Sequence, residues 1–187
     1  MDESPDLPNR RSVRLRAFDY SQLGSYFITI QTHRGKHIFG KIISGQMKLS
    51  AVGQAVSECW LGIPDHFGGV ELEEYVVMPN HVHGIIMIRA RARHAVPLRT
   101  RTEHAEAFGH PRPASVPTIV RSFKSAATQH ARKILGQQEV QIWQRSYFER
   151  VIRSPQEFRK IRKYILLNPA RWEFDRNTLD EPPALDE

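Results

Sequence analysis

Cysteine is almost absent from this 187-residue chain: Cys59 is the only one. A single thiol rules out an internal disulfide, which makes the reducing cytoplasm the expected compartment. It also means that a metal site here must be assembled from histidine, carboxylate, amide or water. No apolar run approaches the roughly 20 residues that span a bilayer, so no membrane partner is expected. The start, Met1-Asp2-Glu3-Ser4-Pro5, lacks the basic and then apolar pattern of a signal peptide. Acidic residues are outnumbered, 20 against 27 Lys and Arg, leaving a formal charge of +7. That excess favours a polyanionic partner without naming one. The remaining composition, 40% hydrophobic and 25% charged, is that of one globular domain with a real core.

The chain divides into three parts. Residues 1–19 read as a basic arm, in which Arg10, Arg11, Arg14 and Arg16 alternate with Val13, Leu15 and Phe18. Such an arm can lie along phosphates, or simply be solvated. Residues 20–175 form the domain, and 176–187, with Glu181-Pro182-Pro183, reads as a disordered tail. Inside the domain, residues 89–117 follow neither the helical nor the strand period and mix arginine, histidine and proline. This is a basic insertion, longer than most connections in compact domains.

Elsewhere the periodicities are clear. Tyr26 to Ile30 is rich in aromatic and β-branched residues and predicts a buried strand. Lys41 to Leu49 predicts a hairpin turning at Ser44-Gly45. Ser50 caps a helix expected to reach about His66, with Val52, Val56, Cys59, Trp60 and Ile63 on one face. Val70–Met78 and His81–Ile88 predict two antiparallel strands around a Pro79-Asn80 turn. Pro117 opens a helix to about Leu135, ended by Gly136. Val140–Trp143 and Tyr147–Ile152 are strand-like. Ser154-Pro155-Gln156-Glu157 is a capping box for a last helix, which Pro169 should end near Asn168. Hairpins set between helices predict an α+β fold, an antiparallel sheet with helices packed on it.

Two features carry candidate chemistry. His81 and His83, at i and i+2 of a strand, point to one face with Ile85 and Met87. Two imidazoles on one pleat can grip a cation; a polar edge strand carrying two histidines has the same pattern. On the last helix Phe158, Ile161 and Ile165 form a core stripe, and Tyr164 and Asn168 lie one turn apart on its flank. Glu157 projects between them a turn or two earlier, and Lys160 sits just beyond Tyr164. That set suits a tyrosine nucleophile beside a metal, and it equally suits a packed ring with a wet hydroxyl and an asparagine ending a helix. A tyrosine hydroxyl, with a pKa near 10, attacks slowly unless its electrophile is strongly activated. A phosphodiester polarised by a divalent ion would meet that requirement and leave a covalent phosphotyrosine.

Taken in order, Pro79-Asn80-His81-Val82-His83-Gly84, Trp143-Gln144-Arg145 and Tyr164-Ile165-Leu166-Leu167-Asn168-Pro169 resemble the single-tyrosine HUH transposases. The likeness is to the branch called REP-associated tyrosine transposases (IS200-like). Tyr26-Phe27-Ile28-Thr29-Ile30 matches too, and the resemblance spans roughly residues 10–175. It implies a ferredoxin-like antiparallel sheet with His81 and His83 on a central strand, and Mg²⁺ or Mn²⁺ held by His81, His83 and Asn168. It implies that Tyr164 attacks single-stranded or hairpin DNA to give a 5′-phosphotyrosine and a free 3′-hydroxyl. The expected DNA contacts are Arg10, Arg11, Arg14, Arg16, Arg121, Lys124, Arg145, Arg153, Lys160 and Lys163. Relatives include monomers and homodimers, and the implied location is the cytoplasm, with the nucleoid. The long insertion departs from the compact family pattern, and no residue identifies itself as the base for Tyr164. Two other readings fit the same residues: a binder of structured single strands that no longer cuts, and a metal-dependent hydrolase that uses water.

Overall fold

The computed structural model describes residues 22–89 and 115–172. The arm at 1–19, the insertion apart from its edges, and the tail at 176–187 lie outside the described residues. Strand β1 (Gly24–Gln31) runs through the middle of a four-stranded sheet, flanked by β5 (His81–Ile88) and β6 (Phe148–Ile152). β4 (Val70–Val77) lies outside β5, giving the order β4-β5-β1-β6 with every pair antiparallel. With helices α1 (Ala51–Leu61) and α3 (Val116–Leu135) between the strands, this is the ferredoxin-like α+β arrangement that the sequence predicts.

The alternation of side chains along β1 and β5 divides the core in two. Tyr26, Ile28, Ile30, Val82 and Ile86 face α1 and α3 and join the larger cluster around Trp60 and Phe123. Phe27, Ile85 and Met87 face the other way, where α4 (Pro155–Arg171) covers them with Ile161 and Ile165. His81 and His83 share that second face, so the sheet parity delivers them to α4.

Gly84, between His83 and Ile85, is a packing requirement. A Cβ there would stand 2.2 Å from Trp60 Cζ2 on the larger-core side. The small hairpin of β2 (Gly40–Ile43) and β3 (Gln46–Leu49) turns through Ser44 and Gly45, both at positive φ. Ser50 caps α1 by accepting from the Gly53 N–H at 3.1 Å. Among the described residues no helix is long and apolar enough to cross a membrane.

Three expectations need correction. The helix from Ser50 divides at Gly62 into α1 and a short α2 (Ile63–His66), because Pro64 has no N–H to continue the ladder. Val140–Trp143 is not a strand. It meets the end of β1 only through a Thr32–Trp143 bridge and the bonds His33 N–H to Ile142 O and Gln144 N–H to Gln31 O. The last helix does not stop at Asn168 but runs through Pro169 to Arg171. Proline so near a helix end sacrifices only one backbone bond, and the Trp172 N–H closes the final turn on Asn168 O at 3.0 Å.

Candidate functional site

The site lies where the start of β5 meets the C-terminal half of α4. The Pro79-Asn80 turn is held firmly, because Asn80 O accepts from Thr32 N–H at 2.8 Å and Pro79 O from Phe39 N–H at 3.1 Å. His81 and His83 follow it, 3% and 1% exposed, with ring centroids 4.4 Å apart. Each ring is fixed at Nδ1: His81 to Asn80 Oδ1 at 2.7 Å, His83 to Thr29 Oγ1 at 2.8 Å. His83 Nε2 stands 3.3 Å from the Tyr164 hydroxyl. Phe27 stacks on His83 at 5.4 Å and meets Tyr164 edge-on at 6.1 Å, so one buried ring spaces both. Burial pushes the His83 pKa down to about 3, which keeps its imidazole neutral across the physiological range.

Helix α4 brings its polar residues to the same place. Ser154 Oγ accepts from Glu157 N–H at 3.1 Å, one half of the expected capping box. The other half is displaced by one residue: Glu157 Oε2 accepts from Arg153 N–H at 2.8 Å, while Oε1 pairs with Arg150 Nε at 2.9 Å. Glu157 thereby ties the end of β6 to the start of α4 and sets the helix's rotation. Arg162 adds a second tie, to Glu74 of β4 at 2.9 Å. Tyr164, Asn168 and Trp172 then fall on one line along the helix, four residues apart. Tyr164 lies 5.3 Å from the His83 ring and Trp172 5.7 Å from the His81 ring, centroid to centroid. Asn168 is buried on the helical turn between them.

Of the four central residues expected from sequence, His81, His83 and Tyr164 are brought into contact, and Asn168 follows Tyr164 by one helical turn. The basic ones do not act alike. Arg121, Arg145, Arg153, Lys160 and Lys163 are exposed, whereas Arg10, Arg11, Arg14 and Arg16 lie outside the described residues. Lys124, half-buried, reaches the neighbouring loop: its Nζ donates to the carbonyls of Gln144, Arg145 and Ser146 at 2.9, 3.4 and 3.1 Å. It also lies 5.6 Å from the Tyr147 ring centre, and burial lowers its pKa to about 8. Trp143 supports the same loop, donating from Nε1 to Lys124 O at 3.2 Å. Sequence reasoning did not assign roles to Thr29 and Trp172. Trp172 stands at helical spacing from Asn168 but behind a proline; Thr29 becomes visible only when strand register sets it opposite His83.

Among the described residues no three His, Cys, Asp or Glu side chains form a metal-binding group. Among the described residues, a third protein ligand beside His81 and His83 would therefore be an amide or a hydroxyl, and Asn168 is a buried amide on α4.

No family model matches the chain. An uncharacterised protein of Haemophilus influenzae is 38% identical over 176 residues, covering 93% of this chain and 96% of its own. The chain belongs to that protein's family. Its fold is that of a REP-associated tyrosine transposase, solved bound to a REP hairpin. The two superpose with a TM-score of 0.52 at 18% identity, over 94% of this chain and 77% of the other.

Proposed function

We propose that this protein is a transposase-like DNA enzyme that cleaves and rejoins single strands through Tyr164. The observation that carries the reading is the 3.3 Å approach of the Tyr164 hydroxyl to His83 Nε2, beside a second buried histidine. Both imidazoles have Nδ1 engaged, the arrangement in which Nε2 serves as a ligating nitrogen. With the Asn168 oxygen they would make an N,N,O donor set of a kind that suits a small divalent ion and leaves coordination positions for substrate oxygen. When bound, Mg²⁺ or Mn²⁺ would polarise the phosphodiester and offset the charge that builds on it.

The residues themselves hold and position. Phe27 and the Glu157 tie fix Tyr164 against the histidines, so its oxygen is aimed before substrate arrives. In the transfer step the Tyr164 oxygen bonds to phosphorus as the P–O3′ bond breaks. The phenolic proton leaves to solvent and the departing 3′ oxygen takes one up. The product, a 5′-phosphotyrosine, retains the bond energy needed to rejoin another 3′-hydroxyl. Exposed Arg145, Arg153, Lys160 and Lys163, with the arginines of the arm, are the proposed phosphate contacts. The hairpin carried by the REP-associated transposase supports hairpin or single-stranded DNA as the substrate class.

The test uses purified protein, Mn²⁺ and 3′-labelled hairpin oligonucleotides drawn from palindromes flanking the gene. On a denaturing gel wild type should carry label at protein mass and Tyr164→Phe should not. Cleavage without an adduct would favour a water-using hydrolase, and binding without cleavage a DNA-binding module.

A further inference from the structure

Thr29 of β1 sits directly opposite His83 of β5 in the strand register and is 5% exposed. A neutral imidazole carries one N–H, and His83 meets a hydroxyl at each end: Thr29 Oγ1 at 2.8 Å from Nδ1 and Tyr164 Oη at 3.3 Å from Nε2. Either hydroxyl can donate or accept, so partner type alone leaves the tautomer undecided. Donor strength favours one arrangement. The phenolic hydroxyl, with an ordinary pKa near 10, is a much stronger hydrogen-bond donor than the aliphatic hydroxyl of Thr29, so Tyr164 donates to Nε2 and Nδ1–H donates to Thr29, whose oxygen is held 2.8 Å away in the buried sheet.

We propose that Thr29 is a positioning residue: its hydroxyl accepts the Nδ1 proton of His83 and so keeps the lone pair at Nε2. The proposal deepens the reading above, because Nε2 is the atom that would ligate the cation. His81 supplies the parallel case. Its partner Asn80 Oδ1 can only accept, which obliges His81 Nδ1 to donate and assigns its lone pair to Nε2 as well. Thr29 thus brings His83 to the same protonation pattern, and the two rings present matched donors. Threonine suits the position because its branched Cβ restricts χ1 and fixes the oxygen's direction.

The test compares full-length wild type, Thr29→Ser and Thr29→Val, the last keeping shape without the hydroxyl. Two-bond ¹⁵N–¹H correlation in metal-free protein reads which nitrogen of His83 carries the proton, and Mn²⁺ titration reads affinity. Wild type and Thr29→Ser should show the Nδ1–H form. Thr29→Val should move the proton to Nε2 and bind Mn²⁺ on the order of 10-fold more weakly. Should Thr29→Val not fold, the wild-type tautomer still decides the matter. Wild-type His83 protonated at Nε2, or Thr29→Val retaining both the Nδ1–H form and wild-type affinity, would overturn the proposal. The expected tautomers in a protein that binds no Mn²⁺ would uphold Thr29's role and sink the metal reading instead.

Discussion

The Tyr164 hydroxyl lies 3.3 Å from His83 Nε2, while Nδ1 of the same ring stands 2.8 Å from Thr29 Oγ1. With the lone pair at Nε2, as proposed, that lone pair cannot accept an O–H and ligate a cation at once, so the Tyr164 hydroxyl and the proposed cation would compete for it.

Removing the hydroxyl should relieve the competition. A neutral hydrogen bond contributes roughly 0.5–1.5 kcal/mol net, and one as long as this belongs at the lower end. Tyr164→Phe should accordingly bind Mn²⁺ as tightly as wild type or a few-fold tighter, while forming no DNA adduct. Calorimetric titration checks it. Substantially weaker binding by the variant would make Tyr164 itself a ligand and break the competition argument.

Gly84 closes the Pro79–Gly84 motif without contributing chemistry, and its cause lies on the opposite face of the sheet. Trp60, fully buried, presses its ring to where a Cβ would be. Gly84→Ala should lose about 1–3 kcal/mol of stability, the usual range for overpacking a tight core. Urea denaturation would measure it. A variant as stable as wild type would show that Trp60 has room to move.

These particulars show which parts of the molecule can be read from its residues. Periodicity revealed β1, β4, β5, α1 and α3, and the i, i+2 rule alone placed both histidines on one face. The serine cap and its glutamate located the start of α4, and helical spacing put Tyr164 and Asn168 together. Partnership between distant segments was hidden. Thr29 reaches His83 through a pairing of residues 54 positions apart, and nothing local encodes that register. Val140–Trp143 has strand residues but only the margin of a sheet to meet. Pro169 misled because its local bias against helix was outweighed by the packing of Trp172 against His81 and His37. Lys124, expected among the DNA contacts, reaches carbonyls 20 to 22 residues away, a partnership that its local sequence does not encode.

His83 makes stability sensitive to acid, and the sign follows from burial. Its ordinary value near 6.5 applies to the unfolded chain, whereas folding lowers it to about 3. Between those values the unfolded state binds a proton that the native state refuses, so stability falls as pH drops below about 6.5. The slope from this one group approaches about 1.4 kcal/mol per pH unit. In urea melts from pH 7.5 to 4.5, His83→Gln should lose less stability than wild type over the same span. Parallel pH dependence in the two proteins would mean that His83 takes up its proton in the folded state.

Lys124 should behave as a structural lysine, unlike the exposed cations proposed to meet phosphate. All three Lys124 N–H groups are directed at loop carbonyls, those of Gln144, Arg145 and Ser146, which leaves little for a phosphate. Truncation to Lys124→Met keeps the aliphatic stem but removes its hydrogen bonds to exposed loop carbonyls, and should cost about 0.5–1.5 kcal/mol in stability. Arg145→Gln and Lys160→Gln, both at exposed positions, should leave stability within about 0.5 kcal/mol. DNA affinity measured against salt should reverse the ranking. Removing one cation that neutralises a phosphate of a single strand lowers the slope of log K on log salt by about 0.7. The exposed variants should show that decrease, whereas Lys124→Met should keep the wild-type slope. A reduced slope in Lys124→Met at unchanged stability would return Lys124 to the DNA-binding surface and make its grip on the loop incidental.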